Sequence, residues 1–180
     1  MNLKRSHSHP DNPTPNIGLL GEDFVAQWLQ TQAWVILHRR WHCRWGELDI
    51  IAQQQGGEQA SRGESFSIHP STPTPCPLPY LVFVEVKTRS HRNWDADGLL
   101  SLTARKQAKL WQAALLFLGE HPELAEYPCR FDVALVNYQR ISQKLSPNSN
   151  ELALILPDRS MQLAGYHFFL QDYIQSAFSF

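Results

Sequence analysis

Glu85 and Lys87 are opposite charges two residues apart at the end of the apolar run Leu81-Val82-Phe83-Val84. Strand side chains alternate faces, so both point the same way, roughly 6–7 Å apart along the strand. Val82, Val84 and Val86 point the other way and can fill a core. A charge in such a run is costly to bury unless it is paired, solvated at a cleft or bound to a metal. Upstream, Gly46-Glu47-Leu48-Asp49-Ile50-Ile51-Ala52 alternates again. Leu48, Ile50 and Ala52 share one face; Glu47, Asp49 and Ile51 share the other. If the two strands pair in one sheet, Asp49 lies beside Glu85. Two carboxylates followed by a lysine suit a hard divalent cation such as Mg²⁺, which takes one or two carboxylates plus substrate phosphate and water. The cation can polarise a phosphoryl oxygen and lower the pKa of a bound water. Lys87 could orient that water or offset charge in the transition state.

The elements that must hold these groups are legible in outline. Asn16 is a good N-cap for a helix over 17–32, with Ile17, Leu20, Phe24, Val25, Trp28 and Leu29 on one side. Glu22 falls at the rim of that apolar arc, either looking into a cleft or acting as an early-turn acid that suits the helix dipole. Ala33–His42 reads as a strand, and Cys43-Arg44-Trp45-Gly46 as a hairpin turn into the Asp49 strand. Ser101 or Thr103 can cap a helix that runs to about Leu118 and stops at Gly119. Gln107 sits on its apolar stripe, either as a satisfied core amide or as a cleft-facing group; Lys106 lies beside it. Arg130–Tyr138 is a further strand. Its Asp132 fits a structural salt bridge better than a charge partner for the site. Glu151–Leu156 reads as a strand, and the spacing of Phe169, Tyr173, Ile174 and Phe178 predicts a closing helix over 166–178.

Bulk properties narrow the class. The 180 residues and 43% hydrophobic content fit one globular domain. Residues 1–16 read as a disordered tail and 17–180 as the domain, with a flexible, proline-rich insertion at 54–79. No run approaches a membrane span, so no membrane partner is expected. Three cysteines without tight spacing fit a reducing cytoplasm. His38, His42 and Cys43 lack a second ligand pair, so a zinc site is not expected. A net charge of −1 argues against a strongly basic, nonspecific nucleic-acid binder. Basic residues nevertheless cluster around the acidic strands: Arg39, Arg40 and Arg44; Lys87, Arg89 and Arg92; Arg105, Lys106 and Lys109.

Asp49, followed at a distance by Glu85-x-Lys87, resembles the PD-(D/E)xK nuclease superfamily, which includes restriction-endonuclease-like and Holliday-junction-resolvase-like proteins. More narrowly, Gly21-Glu22, the Gly46–Ala52 stretch, Phe83-Val84-Glu85-Val86-Lys87-Thr88-Arg89 and Arg130-Phe131-Asp132 resemble the YraN-like family of uncharacterised bacterial proteins. Ile174–Phe178 looks like that family's usual ending, whereas its members have a short turn where this chain has its insertion. E-x-K alone is weak; the ordered set of four blocks is specific. The resemblance implies an α/β, restriction-endonuclease-like fold with a central mixed β-sheet flanked by helices. It implies an Mg²⁺- or Mn²⁺-dependent endonuclease acting on DNA or RNA, structured or branched forms included. Asp49, Glu85 and Glu22 would hold metal, and Lys87 would join them in catalysis. Gln107, Lys106 and Arg89 would contact nucleic acid. A homodimer is an open option. The alternative is a nucleic-acid-binding protein that keeps this fold without turnover.

Overall fold

In a computed structural model, the described residues are 15–54, 80–90, 102–141, 154–156 and 159–178. Most of the expected tail and insertion (1–14 and 55–79) lies outside them. The chain forms α1 (Ile17–Thr31), β1 (Trp34–Cys43), β2 (Gly46–Gln54), β3 (Leu81–Ser90), α2 (Ala104–Glu120), β4 (Cys129–Arg140), β5 (Leu154–Leu156), β6 (Ser160–Leu163) and β7 (Tyr166–Phe178). A mixed sheet in the order β1-β2-β3-β4-β7-β6-β5 joins all seven strands. Among the described residues only β3 and β4 run parallel. Parallel neighbours need a crossover, and α2 lies on that connection.

Alternation along the central strands supplies two cores. Ile50, Ala52, Val82, Val84, Ala134 and Val136 pack with Phe24, Val25, Trp28 and Leu29 of α1. Ile51, Leu81, Phe83, Phe131, Val133 and Leu135 pack with Leu110, Ala113, Ala114 and Phe117 of α2. The two helices therefore flank the sheet on opposite faces. Asn16 caps α1 by accepting the Gly18 and Leu19 N–H groups, and Thr103 caps α2 by accepting the Lys106 N–H. Contrary to expectation, Gly119 does not stop α2, which runs on to Glu120. No helix among the described residues is long and apolar enough to cross a membrane.

The closing helix expected over 166–178 is a strand. The reason lies in its irregularities. The β4–β7 register shifts between Phe131 and Val133 and again between Leu135 and Val136, and Ser176 has φ +49°. Each bulge adds a residue out of phase, so exposed and half-buried residues come in pairs from Gln171 to Phe178. Pairs repeating every four positions imitate a helical period. The hairpin feeding β7 also escaped the sequence reading. Ala164 (φ +51°) and Gly165 (φ +77°) form its two-residue turn, with both residues left-handed.

Candidate functional site

The site forms where the sheet stops being regular. The β2–β3 ladder runs from Gln53↔Leu81 to Ile50↔Val84 and ends there. Beyond it the Val86 N–H is taken instead by the Asp49 side chain, with Oδ2 at 2.7 Å. On its other edge β2 pairs Arg39↔Ile50 and Trp41↔Leu48, skipping Arg40 and Asp49. Arg40 sits at φ +49°, a left-handed conformation costly for an arginine. With alternation interrupted, Leu48 packs into the α2-side core while Ile50 packs on the α1 side. The expectation that they share a face fails at Asp49 itself. The same interruption lets consecutive arginines reach consecutive acids of α1: Arg39 pairs with Asp23, and Arg40 Nε lies 3.7 Å from Glu22 Oε2.

Glu85 is almost fully buried, its side chain 4% exposed. Its Oε1 receives Lys87 Nζ at 2.6 Å and Lys106 Nζ at 3.2 Å. Its Oε2 is buried with no hydrogen-bond partner. The pairing of Glu85 with Lys87 follows from their two-residue spacing. Lys106 arrives from the first turn of α2.

Glu22 is held against β3 by a close approach of backbone. A Cβ on Gly21 would stand 1.9 Å from Thr88 Oγ1, so only glycine lets α1 lie this near the strand. Burial pushes the Glu22 carboxyl up, and Glu47 adds to the push against the opposing pull of Arg40 and Arg39. Asp49 is pushed up to about 7, first by burial, then by the charge of Glu85 and, more weakly, of Glu22; the Val86 N–H and Lys106 oppose this. Four carboxylates thus form a chain of mutual repulsion, Glu47 to Glu22 to Asp49 to Glu85.

Glu47 is the member that sequence reasoning left out. Its Oε1 is buried without a hydrogen bond, and its Oε2 lies 3.3 Å from His42 Nε2. The signal was present, since Glu47 stands two residues before Asp49 in an alternating strand.

Other candidates lie apart. Gln107 does not reach the carboxylates; its Nε2 donates to the Leu102 carbonyl at 3.0 Å. Arg89 follows Lys87 by two residues on β3, half-buried, opposite Asn137. Asp132 belongs to the β4–β7 seam, where it accepts from Tyr173 OH at 2.8 Å, the Ser176 N–H at 2.9 Å and Arg130 Nε. Burial and Asp132 together raise the Tyr173 phenol. Among the described residues, no three His, Cys, Asp or Glu side chains stand close enough together to hold a metal ion.

A mixed α/β sheet carrying acidic and basic side chains from adjacent strands and both helices defines the class. Within it, residues 21–136 match the model of the Uncharacterised protein family UPF0102. The chain belongs to that family, the YraN-like group to which its four sequence blocks pointed. It is 48% identical over 168 residues to a UPF0102 protein of Trichodesmium erythraeum, covering 89% of this chain and 87% of the relative. It is 44% identical over 182 residues to one from Acaryochloris marina, covering 94% and 98%. A Nostoc relative is 47% identical over 163 residues, covering 91% and 94%.

Proposed function

We propose that the chain is a metal-dependent phosphodiesterase of the PD-(D/E)xK, restriction-endonuclease-like type, cleaving DNA or RNA. The observation that carries this reading is the state of Glu85: a buried carboxylate with two ammonium groups on one oxygen and no partner on the other. Such a group is costly to keep for packing alone. Asp49, on the next strand, is likewise held above its ordinary range by burial and by Glu85. Both features suit a cation. Mg²⁺ or Mn²⁺ needs few protein oxygens and fills its shell with water and substrate phosphate, so Asp49 and Glu85 suffice as ligands. Glu22, with its own unbonded Oε2, is a further candidate. When bound, the ion would supply Lewis-acid polarisation and a more acidic water.

The chain's own groups have distinct tasks. Glu85 Oε1 fixes the Lys87 and Lys106 ammonium groups beside the reacting centre. From there Lys87 can orient a water or offset charge developing on the phosphate. Lys106, more exposed, and Arg89 can receive the flanking backbone. Asp49 must give up its proton to hold the ion, so metal binding should strengthen as pH rises.

The test is a cleavage panel of linear, flap, fork and four-way substrates with Mg²⁺ and with Mn²⁺. Cleavage is expected from the wild type and lost in Asp49→Ala and in Lys87→Ala. Equal cleavage by both variants would mark a contaminant and sink the mechanism. The engagement of both lysines by Glu85 favours a second reading, nucleic-acid binding without turnover. Salt-dependent binding with no cleavage anywhere in the panel would select it.

A further inference from the structure

On the other side of the first turns of α2 from the carboxylates lies an open hollow of about 340 Å³, lined by Ala104, Gln107, Ala108, Trp111, Gln112 and Phe178. We infer that it receives an unpaired nucleobase of the strand whose backbone lies at Lys106 and Glu85, an inference that rests on the nucleic-acid reading above.

The lining selects the ligand. Among the described residues its lining holds no charged side chain, so neither a phosphate nor a metal ion is its natural occupant. Ala104 and Ala108, one helical turn apart and both exposed, leave a depression. The indole of Trp111 and the ring of Phe178 supply flat apolar walls, and the amides of Gln107 and Gln112 supply hydrogen-bonding edges. A neutral, planar group with a polar rim matches that set, and a base offers both a π-face and a hydrogen-bonding edge. The Gln107 amide is already held by the Leu102 carbonyl, which lowers the ordering cost of binding.

Gln107 follows Lys106, whose ammonium lies 3.2 Å from Glu85 Oε1 on the opposite side of the helix. A strand with its phosphate at Lys106 reaches the hollow by passing across the first turn of α2. Only a base freed from pairing can enter, so the hollow favours single-stranded or frayed nucleic acid beside the cleavage point.

The experiment measures fluorescence anisotropy of a labelled single-stranded oligonucleotide and of a fully abasic strand of equal length, with Ca²⁺ replacing Mg²⁺ or Mn²⁺. The wild type is expected to prefer the base-bearing strand about tenfold or more, in keeping with stacking of a base on aromatic side chains. Ala108→Phe fills the hollow from an exposed helical position and should bring the preference close to one, with abasic binding unchanged. Ala104→Leu, checked by thermal melting as well, should do the same. A preference intact in both variants overturns the inference. Equal wild-type affinity for the two strands also overturns it and leaves the proposed function standing. Failure to bind either strand overturns the inference, and the cleavage panel then decides the proposed function separately.

Discussion

Two carboxylates are buried in neighbouring parallel strands and live in opposite circumstances. Asp132 of β4 is fully buried, and each oxygen has donors: Tyr173 OH, the Ser176 N–H and Arg130. These donors tie β4 to the bulged β7. Glu85 of β3 is almost as deeply buried, yet one oxygen carries two lysines and the other has no hydrogen bond. Burial is common to both; satisfaction is not. A satisfied buried carboxylate belongs to the architecture. One left half satisfied beside a second acid, Asp49, is a cost that the fold tolerates for some other end.

Substitution should separate the two. Glu85→Gln should lower metal-dependent cleavage at least about a thousandfold, equivalent to about 4 kcal/mol of barrier. Its melting temperature should change little, because Lys87 and Lys106 both retain access to water. Asp132→Ala should do the reverse, costing about 3–5 kcal/mol in denaturant unfolding by leaving buried donors and Arg130 without a partner. If Asp132→Ala melts like the wild type, the contrast collapses.

The contrast extends to pH. The Asp49 carboxyl titrates near 7 in the folded protein against 3.8 as its ordinary value. The folded state therefore holds this proton more tightly than the unfolded state, and stability should fall as pH rises from about 4 through 7. Asp49→Asn lacks that slope while keeping an acceptor for the Val86 N–H. At pH 8 without metal it should be more stable than the wild type, by on the order of a few kcal/mol. Melting curves at pH 5 and pH 8 check this; equal differences at the two values would remove Asp49 as a strained group. The smallest effect belongs to Gly21→Ala. Forcing a methyl group onto Thr88 should cost about 1–3 kcal/mol, and Thr88→Ala in the same chain should recover part of it.

The sequence made the centre of this comparison readable and its margins unreadable. Glu85-Val86-Lys87 sits in a regular strand with parallel pairing to β4 throughout, so period-two reasoning brought the two charges together correctly. Asp49 came beside Glu85 by the same reasoning because β2 and β3 pair in register up to Ile50↔Val84. The helices were visible from Asn16, Thr103 and their apolar stripes. Where alternation breaks, the reading breaks with it. Beside left-handed Arg40 the β1–β2 pairing lapses for one position, and there Leu48 packs in the opposite core from Ile50. The two register shifts in β4–β7 gave the last strand a helical rhythm. Gln107, read as either a satisfied amide or a cleft-facing group, has its amide satisfied by the Leu102 carbonyl just ahead of the α2 cap. Glu47 was read on the Asp49 strand but not assigned to the site, because what it acts on, Glu22, belongs to α1.

The arrival of Lys106 on a crossover has a consequence in time. β1, β2 and β3 form an antiparallel meander that can pair through neighbouring connections, and that meander already contains Glu47, Asp49, Glu85 and Lys87. The second lysine comes only when α2, the crossover from β3 to β4, docks on the face of the sheet. During synthesis, the acidic strands therefore emerge before the helix that completes their charge balance. On its own the meander leaves Glu85 with one lysine, and the same helix that completes the core on that face brings the second.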